Sequence, residues 1–127
     1  MAIRTELTLV LENRPGAAAA VFKVLADDHV NIVAMQLEHD GTLRLVVDNP
    51  LHAVEIMRER DLHFDRRDVL YTVVPNDAGA LGRASSLLAE AGVNVEYLYG
   101  TAIEGQPSAA VVIGVPDALK ASAAAGI

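Results

Sequence analysis

The stretches LENRPG (residues 11–16) and VPNDAG (residues 74–79) are two versions of one turn. Each follows an apolar run, carries Asn at its third position, ends in Gly and leads into an alanine-rich segment. A chain that makes the same turn twice, 63 residues apart, is expected to contain a repeated structural unit.

A shift of the sequence by 63 residues reveals a duplication that extends beyond the turn. Residues 9–35 and 72–98 are identical at 8 of 27 positions, which cluster at the turn and at the end of the following segment. The identical pairs are Val10/Val73, Asn13/Asn76, Gly16/Gly79, Ala17/Ala80, Leu25/Leu88, Ala26/Ala89, Val30/Val93 and Asn31/Asn94. The sequence therefore predicts two copies of one unit, over residues 1–68 and 69–127.

Hydrophobic periodicity predicts the elements of the first copy. Leucines alternate with polar residues over residues 6–12, which is typical of a strand with one buried face. Residues 16–28 carry an apolar helical stripe, and a β-hairpin with a turn at Asp40-Gly41 follows. A second helix is predicted from Asn49-Pro50 to about residue 60, and residues 62–68 can form a fourth strand. The helix residues expected to face inward are Ala17, Val21, Val24, Leu25, Leu51, Val54 and Met57.

The second copy repeats this order but ends earlier. Its hairpin has a longer loop at residues 101–107, a third strand at residues 108–115 and a second helix that starts near Asp117. Nothing remains for a fourth strand, so the apolar strand at residues 70–74 would be left as an open edge. We expect another segment or another chain to cover that edge. The inward residues of its first helix are predicted to be Ala80, Ala84, Leu87, Leu88 and Ala91.

Two βαββαβ units with antiparallel strands and helices on one face give an α+β fold of ferredoxin-like type, in tandem, with the second unit lacking its last strand. Each copy is only about 60 residues long, a size at which burial is marginal. The copies are therefore expected to pack on each other or to dimerise.

Composition excludes several classes of function. The chain has 127 residues, 52% of them hydrophobic, with 10 Lys plus Arg against 17 Asp plus Glu, a net charge of −7. Nucleic-acid binding needs a basic face, so no nucleic-acid partner is expected. The sequence has neither an apolar run of about 18 residues nor a secretory signal, so we expect no membrane partner and a cytoplasmic location. The absence of Cys excludes disulfides and thiol catalysis.

The motifs resemble those of a known regulatory family. The stretch ENRPG (residues 12–16) followed by VNI (residues 30–32) resembles the ACT domain, a small-molecule-binding regulatory module of many enzymes of amino-acid metabolism. The first copy is similar to the serine-binding regulatory domain of phosphoglycerate dehydrogenase. NDAGAL (residues 76–81) with GVNV (residues 92–95) is a looser match, and together the two copies cover nearly the whole chain.

The resemblance implies where a ligand binds. In the ACT family the ligand lies where the loop after the first strand of one unit meets the second strand of a paired unit. We expect no cofactor. The serine-binding relatives carry a His two residues before the loop Asn, whereas this chain has Leu11 and Val74, which suits a larger or more hydrophobic amino acid. The implied ligand-binding residues are Asn13, Arg14, Pro15, Gly16, Ala17 and Asn31 in the first copy, and Asn76, Asp77, Gly79, Ala80 and Asn94 in the second.

The chemistry of such a loop suits an amino acid. A helix N-terminus offers unpaired N–H groups and a partial positive charge to a carboxylate. Gly permits close approach, and an Asn side chain both donates and accepts. The alternative is structural: Pro15 would occupy the first helical position of a tight turn, and Asn31 and Asn94 would only satisfy unusual backbone angles.

The two loops are predicted to differ in charge. Arg14 could hold an anion, whereas Asp77 is a good N-cap whose charge would repel a carboxylate. We therefore expect the first loop to be the stronger anion site. Tyr97 and Tyr99 share one face of a strand and are interpreted as core or interface packing, or as a wall of the ligand pocket.

No catalytic constellation is evident. The four His residues are scattered without metal-ligand spacing, and the chain lacks a phosphate-binding or dinucleotide motif. We interpret the chain as a non-catalytic regulatory protein that binds a free amino acid between ACT units, as a homodimer. The alternative is a regulatory subunit that docks on an enzyme or regulator of amino-acid metabolism without binding a ligand by itself. A small enzyme is the third interpretation.

Overall fold

The computed structural model describes residues 1–126, which form six strands and four helices. The order of the elements is βαββαβαββα. The strands are β1 (Ala2–Val10), β2 (Ile32–Leu37), β3 (Thr42–Val47), β4 (Asp65–Pro75), β5 (Tyr97–Ala102) and β6 (Ser108–Gly114). The helices are α1 (Ala17–Asp27), α2 (Pro50–Glu59), α3 (Ala80–Glu90) and α4 (Ala118–Ala125).

The first unit comprises Thr5–Arg67. Its strands follow the order β2-β3-β1-β4, and β3 pairs antiparallel with both β1 and β2. The alternating leucines of β1 pair with leucines of β3, for example Leu7 with Leu45, and face the two helices. The core therefore lies between one face of the sheet and the apolar stripes of α1 and α2. Its members include Leu7, Leu9, Val21, Leu25, Leu43, Leu45, Val54 and Met57.

The second unit comprises the chain from Asp68 onward together with Met1–Arg4. Its strands follow the order β1-β4-β6-β5, with β4 and β5 both antiparallel to β6. Its core again joins one face of the sheet to two helices, here α3 and α4. The members of this core include Leu70, Val74, Ala80, Leu88, Val111, Ile113, Ala118 and Ala121.

Residues 1–4 lie with the second unit, beside the strand that was expected to have an open edge. Met1 packs against the core of the second unit, and the Arg4 guanidinium lies 4.5 Å from the centre of the Tyr71 ring. The open edge expected at residues 70–74 is thus covered by another segment, namely the beginning of β1. The units differ from a simple division into residues 1–68 and 69–127, because the first four residues belong with the second half.

One strand replaces two predicted ones. Residues 62–68 were expected to end the first copy and residues 69–74 to begin the second, but both parts belong to the single strand β4, which begins at Asp65. No turn residue interrupts this stretch, so the extended backbone simply continues.

Two predicted inward side chains are exposed. Leu51 is 75% exposed and Leu87 is 44% exposed, so both predictions were wrong. Leu51 is the second residue of α2, where the helix has only begun, and the core contacts start with Ala53 and Val54. In α3 only Ala80 and Leu88 are buried. The surface of α3 that packs against the core of the second unit is therefore narrower than the stripe of apolar residues in its sequence.

The predicted hairpin turn is present at Asp40-Gly41. Gly41 has a φ of 93°, and the Asp40 carboxylate accepts a hydrogen bond from the Thr42 amide at 2.9 Å. That backbone hydrogen bond, assisted by the Thr42 hydroxyl and by the charge of Arg44, holds the pKa of Asp40 below its ordinary value of 3.8. No helix within residues 1–126 is long and apolar enough to cross a membrane.

Candidate ligand-binding site

The repeated turn has nearly the same backbone in both units. Gly16 and Gly79 are the N-cap residues of α1 and α3, with left-handed φ values of 84° and 95°. A residue with a Cβ is strained in this region, which explains why both copies carry Gly. Pro15 therefore precedes the N-cap, so the structural alternative that places it at the first helical position does not hold. The prediction that Asp77 is the N-cap of α3 was wrong.

Capping divides the four helices into two classes. The Asn49 side chain caps α2 by accepting from the His52 amide at 3.2 Å, and Asp117 caps α4 by accepting from the Lys120 amide at 3.0 Å. Neither α1 nor α3 has a side-chain cap. The first-turn N–H groups of the two loop helices are therefore left without a side-chain acceptor.

A cavity of about 230 Å³ lies beside the first loop and is called the first-unit cavity. Its walls come from the loop, from the first turn of α1 and from the end of β2 with the hairpin turn. Of the residues predicted to bind a ligand, Asn13, Arg14, Gly16 and Ala17 line it, whereas Pro15 does not. Further lining residues are Leu11, Glu12, Ala18, Ala19, Leu37, Glu38, His39 and Gly41.

A cavity of about 260 Å³ occupies the same place in the second unit and is called the second-unit cavity. Of the predicted residues, Asn76, Asp77 and Ala80 line it, and Gly79 forms the adjoining turn. The rest of the lining is small or aliphatic, apart from Thr101. It consists of Val74, Pro75, Leu81, Leu98, Gly100, Ala102, Ala109, Ala110 and Val111.

Each loop is tied to the hairpin of its own unit, by different means. In the first unit the Leu11 amide donates to the Gly41 carbonyl at 2.8 Å, and a Cβ on Gly41 would lie 2.5 Å from the Leu11 carbonyl oxygen. In the second unit the Asn76 side chain donates to the carbonyls of Ile103 and Gln106, at 3.1 and 2.9 Å. Asn76 thus fastens the longer hairpin loop. Asn13, its counterpart, makes no side-chain hydrogen bond within residues 1–126.

The predicted charge difference between the loops is offset by neighbours. Arg14 pairs with Glu12 at 2.9 Å, and Asp77 pairs with Arg83 at 2.8 Å. Both pairs are largely exposed and leave each loop locally neutral. Sequence reasoning missed Arg83, which lies four residues after the loop Gly, the spacing at which a side chain reaches back over a helix N-terminus.

Asn31 and Asn94 lie away from the loop cavities of their own units. Asn31 follows α1, whose 11 residues span about 16 Å. Its amide donates to the Asp48 carboxylate and its carbonyl accepts from the Asp48 amide, both at 3.0 Å. Asn94 lines a separate cavity of about 270 Å³ beside Asp117 and Lys120. Within a single unit, therefore, the loop Asn and the second Asn are not brought together.

The two tyrosines of β5 pack on each other. The rings of Tyr97 and Tyr99 stack with their centres 6.4 Å apart, and Tyr99 is buried. Neither ring lines the second-unit cavity. Within the described part of the chain, no group of three His, Asp or Glu side chains is placed to hold a metal ion.

The sequence profile of the ACT domain pair family matches residues 1–117. The chain belongs to the ACT domain pair family. Two consecutive ACT units with a ferredoxin-like α+β fold, a regulatory domain type, account for the six strands and four helices.

Solved structures share this fold. Protein BT0572 from Bacteroides thetaiotaomicron is 29% identical, with a TM-score of 0.87 over 96% of this chain and 85% of that one. The ligand-free regulatory subunit of aspartate kinase from Thermus thermophilus is 17% identical, with a TM-score of 0.68 over 98% and 92%. Aspartokinase III from E. coli, in complex with lysine and aspartate, is 15% identical, with a TM-score of 0.60 over 98% and 31%. No curated protein matches the sequence.

Proposed function

We propose that this ACT domain pair is a non-catalytic regulatory protein that binds a free amino acid at its β–α loops. The observation that carries the proposal is the repeated combination of an uncapped helix N-terminus with an adjoining cavity, at the same place in both units. The ligand carboxylate would face the first-turn N–H groups, and its side chain would enter the cavity.

The capping pattern supports this assignment. The same chain caps α2 and α4 with its own side chains, at Asn49 and Asp117, and leaves α1 and α3 open. With Gly at the N-cap, the missing side-chain acceptor costs each of these helices only about a few tenths of a kcal/mol. A bound carboxylate would supply the acceptors that the loops lack. In the first loop, the Asn13 side chain could accept a hydrogen bond from the ammonium group of the ligand or donate one to its carboxylate.

Regulation would follow from linkage. A ligand that favours one arrangement of ACT units shifts the population of that arrangement by its differential affinity, and the shift is passed to a partner. Asn31 and Asn94 would join the site only from a paired unit or chain, as the family resemblance implies. We expect a homodimer in the cytoplasm, without a cofactor and without a nucleic-acid or membrane partner.

Related structures make an amino-acid ligand chemically reasonable. The E. coli aspartokinase III structure is a complex with lysine and aspartate, although at 15% identity it shares only the fold with this chain. The proposal therefore takes from it a ligand class and not a particular amino acid.

Calorimetric titration of the purified chain with each of the twenty amino acids tests the proposal. We expect at least one of them to bind. Asn13→Ala would weaken binding if the first loop holds the ligand and leave it unchanged if the second loop does. The absence of detectable binding with all twenty amino acids would contradict the proposal.

The second candidate is a regulatory subunit that docks on an enzyme of amino-acid metabolism. It is favoured by an exposed apolar row on the edge strand β2, where Val33, Met35 and Leu37 are 39%, 59% and 54% exposed. The T. thermophilus structure is itself a regulatory subunit of a kinase. This candidate predicts no amino-acid binding by the isolated chain, and binding to an amino-acid-metabolism enzyme that is lost when Met35 and Leu37 are replaced by Ser.

A further inference from the structure

We infer that the second-unit cavity receives the side chain of a free amino acid with a branched aliphatic side chain, such as leucine, isoleucine or valine. This inference rests on the proposed function and names the ligand class for one of its two loops. It depends on the walls of the cavity, on its size and on the charges at its mouth.

The walls of the two cavities differ at equivalent positions. At the 63-residue offset, Leu37 and His39 of the first-unit cavity correspond to Gly100 and Ala102 of the second. On the helix side, Ala18 corresponds to Leu81. The second unit therefore removes bulk and polarity from the strand wall and adds an aliphatic side chain to the helix wall.

The polar groups of the second-unit cavity are few. Asn76 uses its amide to fasten the hairpin loop, and the only charged residue of the lining is Asp77. The first-unit cavity is lined by Glu12, Arg14, Glu38 and His39. The one charged group that a ligand side chain would meet there is Asp77, which already pairs with Arg83. A charged side chain would therefore lose water for little gain in pairing, whereas an aliphatic side chain would gain from burial.

Gly100 leaves the strand wall of the second-unit cavity without a side chain, and the packing of β5 against β6 requires Gly there. A Cβ at this position would collide with the Ala110 carbonyl oxygen of the neighbouring strand. The space next to Leu98, Ala109 and Val111 is therefore fixed by the approach of β5 to β6 and not by a movable side chain.

The charges at the mouth are complementary to a zwitterion. The Asp77 carboxylate accepts from the Arg83 guanidinium at 2.8 Å, and both side chains are about half exposed, at 52% and 61%. An ammonium group can pair with Asp77, and a carboxylate can pair with Arg83 or with the uncapped first turn of α3. At about 260 Å³ the cavity is smaller than the range of roughly 300–1,000 Å³ for drug-sized ligands, which fits a single amino acid.

Titration of the full chain with L-leucine, L-alanine and L-lysine tests the inference. Because each methylene in an apolar pocket is worth about tenfold or more in discrimination, leucine should bind at least about tenfold more tightly than alanine. Lysine should bind more weakly than leucine. A chain that binds lysine more tightly than leucine would overturn the inference and leave the proposed function intact.

Two matched variants locate the site. Leu81→Ala removes an exposed wall residue of the cavity and should weaken leucine binding several-fold, whereas Leu119→Ala, on α4 outside the cavity, should not. The two leucines are 52% and 66% exposed. Ala109→Leu fills the cavity and should abolish binding, with folding checked by circular dichroism. If Ala109→Leu does not fold, the comparison of Leu81→Ala with Leu119→Ala decides by itself.

The contrary results are distinct. Unchanged leucine affinity in Leu81→Ala, or loss of leucine binding in Ala18→Leu, which narrows the first-unit cavity, would show that leucine does not enter the second-unit cavity. The protein would still be an amino-acid sensor in that case. Failure of the wild type to bind any of the twenty amino acids would remove the proposed function, and this inference with it.

Discussion

At the scale of single residues, identical positions of the duplication have different roles. Asn13 and Asn76 are indistinguishable in the repeated sequence, yet the Asn13 amide is free of intramolecular hydrogen bonds within residues 1–126, whereas Asn76 donates to two carbonyls of the hairpin loop. The sequence could not reveal this, because the acceptors lie 27 and 30 residues away in a hairpin loop that is longer than its counterpart in the first copy. The pairing of Arg83 with Asp77 was also not predicted, because the first copy has Ala20 at the equivalent position and the repeat therefore gives no indication of it.

We predict that Asn76→Ala lowers the free energy of unfolding by about 1 kcal/mol, because two hydrogen bonds to the hairpin loop are lost at an exposed site. Asn13→Ala is the matched control and should change it by less than about 0.5 kcal/mol. Chemical denaturation of the three proteins measures both values. Equal effects of the two substitutions would show that Asn76 does not fasten the loop.

Asp40 gives a prediction of pH dependence. Its pKa is lowered in the folded state by the hydrogen bond from the Thr42 amide, so its contribution to stability is present above the unfolded value of 3.8 and is lost as the pH falls through the folded pKa. An Asn at this position can still accept the hydrogen bond but does not titrate. Between pH 7 and pH 3, the wild type should therefore lose more stability than Asp40→Asn. Parallel denaturation curves of the two proteins at both pH values check this, and an equal loss would contradict it.

At the scale of elements, periodicity and turn chemistry predicted most of the fold. The two Gly turns, the hairpin turn at Asp40-Gly41 and the start of α2 at Asn49-Pro50 are all present, because each depends on residues adjacent in the chain. The wrong predictions concern side chains whose burial depends on contacts between elements that are distant in the sequence. The exposure of Leu51 and Leu87 depends on how widely a helix meets its sheet, which a stripe of apolar residues does not specify.

The side-chain cap of α2 predicts that two substitutions of Asn49 differ in their effect on stability. Asn49→Ala removes the acceptor for the His52 amide and should lower the free energy of unfolding by about 1 kcal/mol, whereas Asn49→Asp should retain stability. Thermal or chemical denaturation measures the difference. The result would count against the capping assignment if Asn49→Ala were as stable as Asn49→Asp.

At the scale of the whole molecule, the duplication predicted two units, but the sequence did not show which segment completes the second one. Residues 1–4 resemble the beginning of any strand, and no local signal assigns them to a unit that otherwise starts at Asp68. The candidate site was predicted in part for a related reason. The loop residues were found from a local motif, whereas the cavity walls from β5 and β6 come from strands brought beside the loop by the sheet.

We predict that a chain beginning at Thr5 loses protection of β4. Removal of Met1–Arg4 uncovers the β4 edge and takes Met1 from the core and Arg4 from the face of Tyr71. Amide hydrogen exchange followed by mass spectrometry should be faster in peptides covering residues 68–75, with β3 as the internal control. Unchanged exchange in residues 68–75 would mean that the start of the chain does not cover this edge.

Amide chemical shifts would report directly whether a free amino acid binds at the β–α loops. Heteronuclear NMR spectra of the labelled full chain would be recorded with and without each of the twenty amino acids. We expect at least one of them to shift the amides of residues 13–18 or of residues 76–81. No shift at either loop with any amino acid at saturating concentration would contradict it.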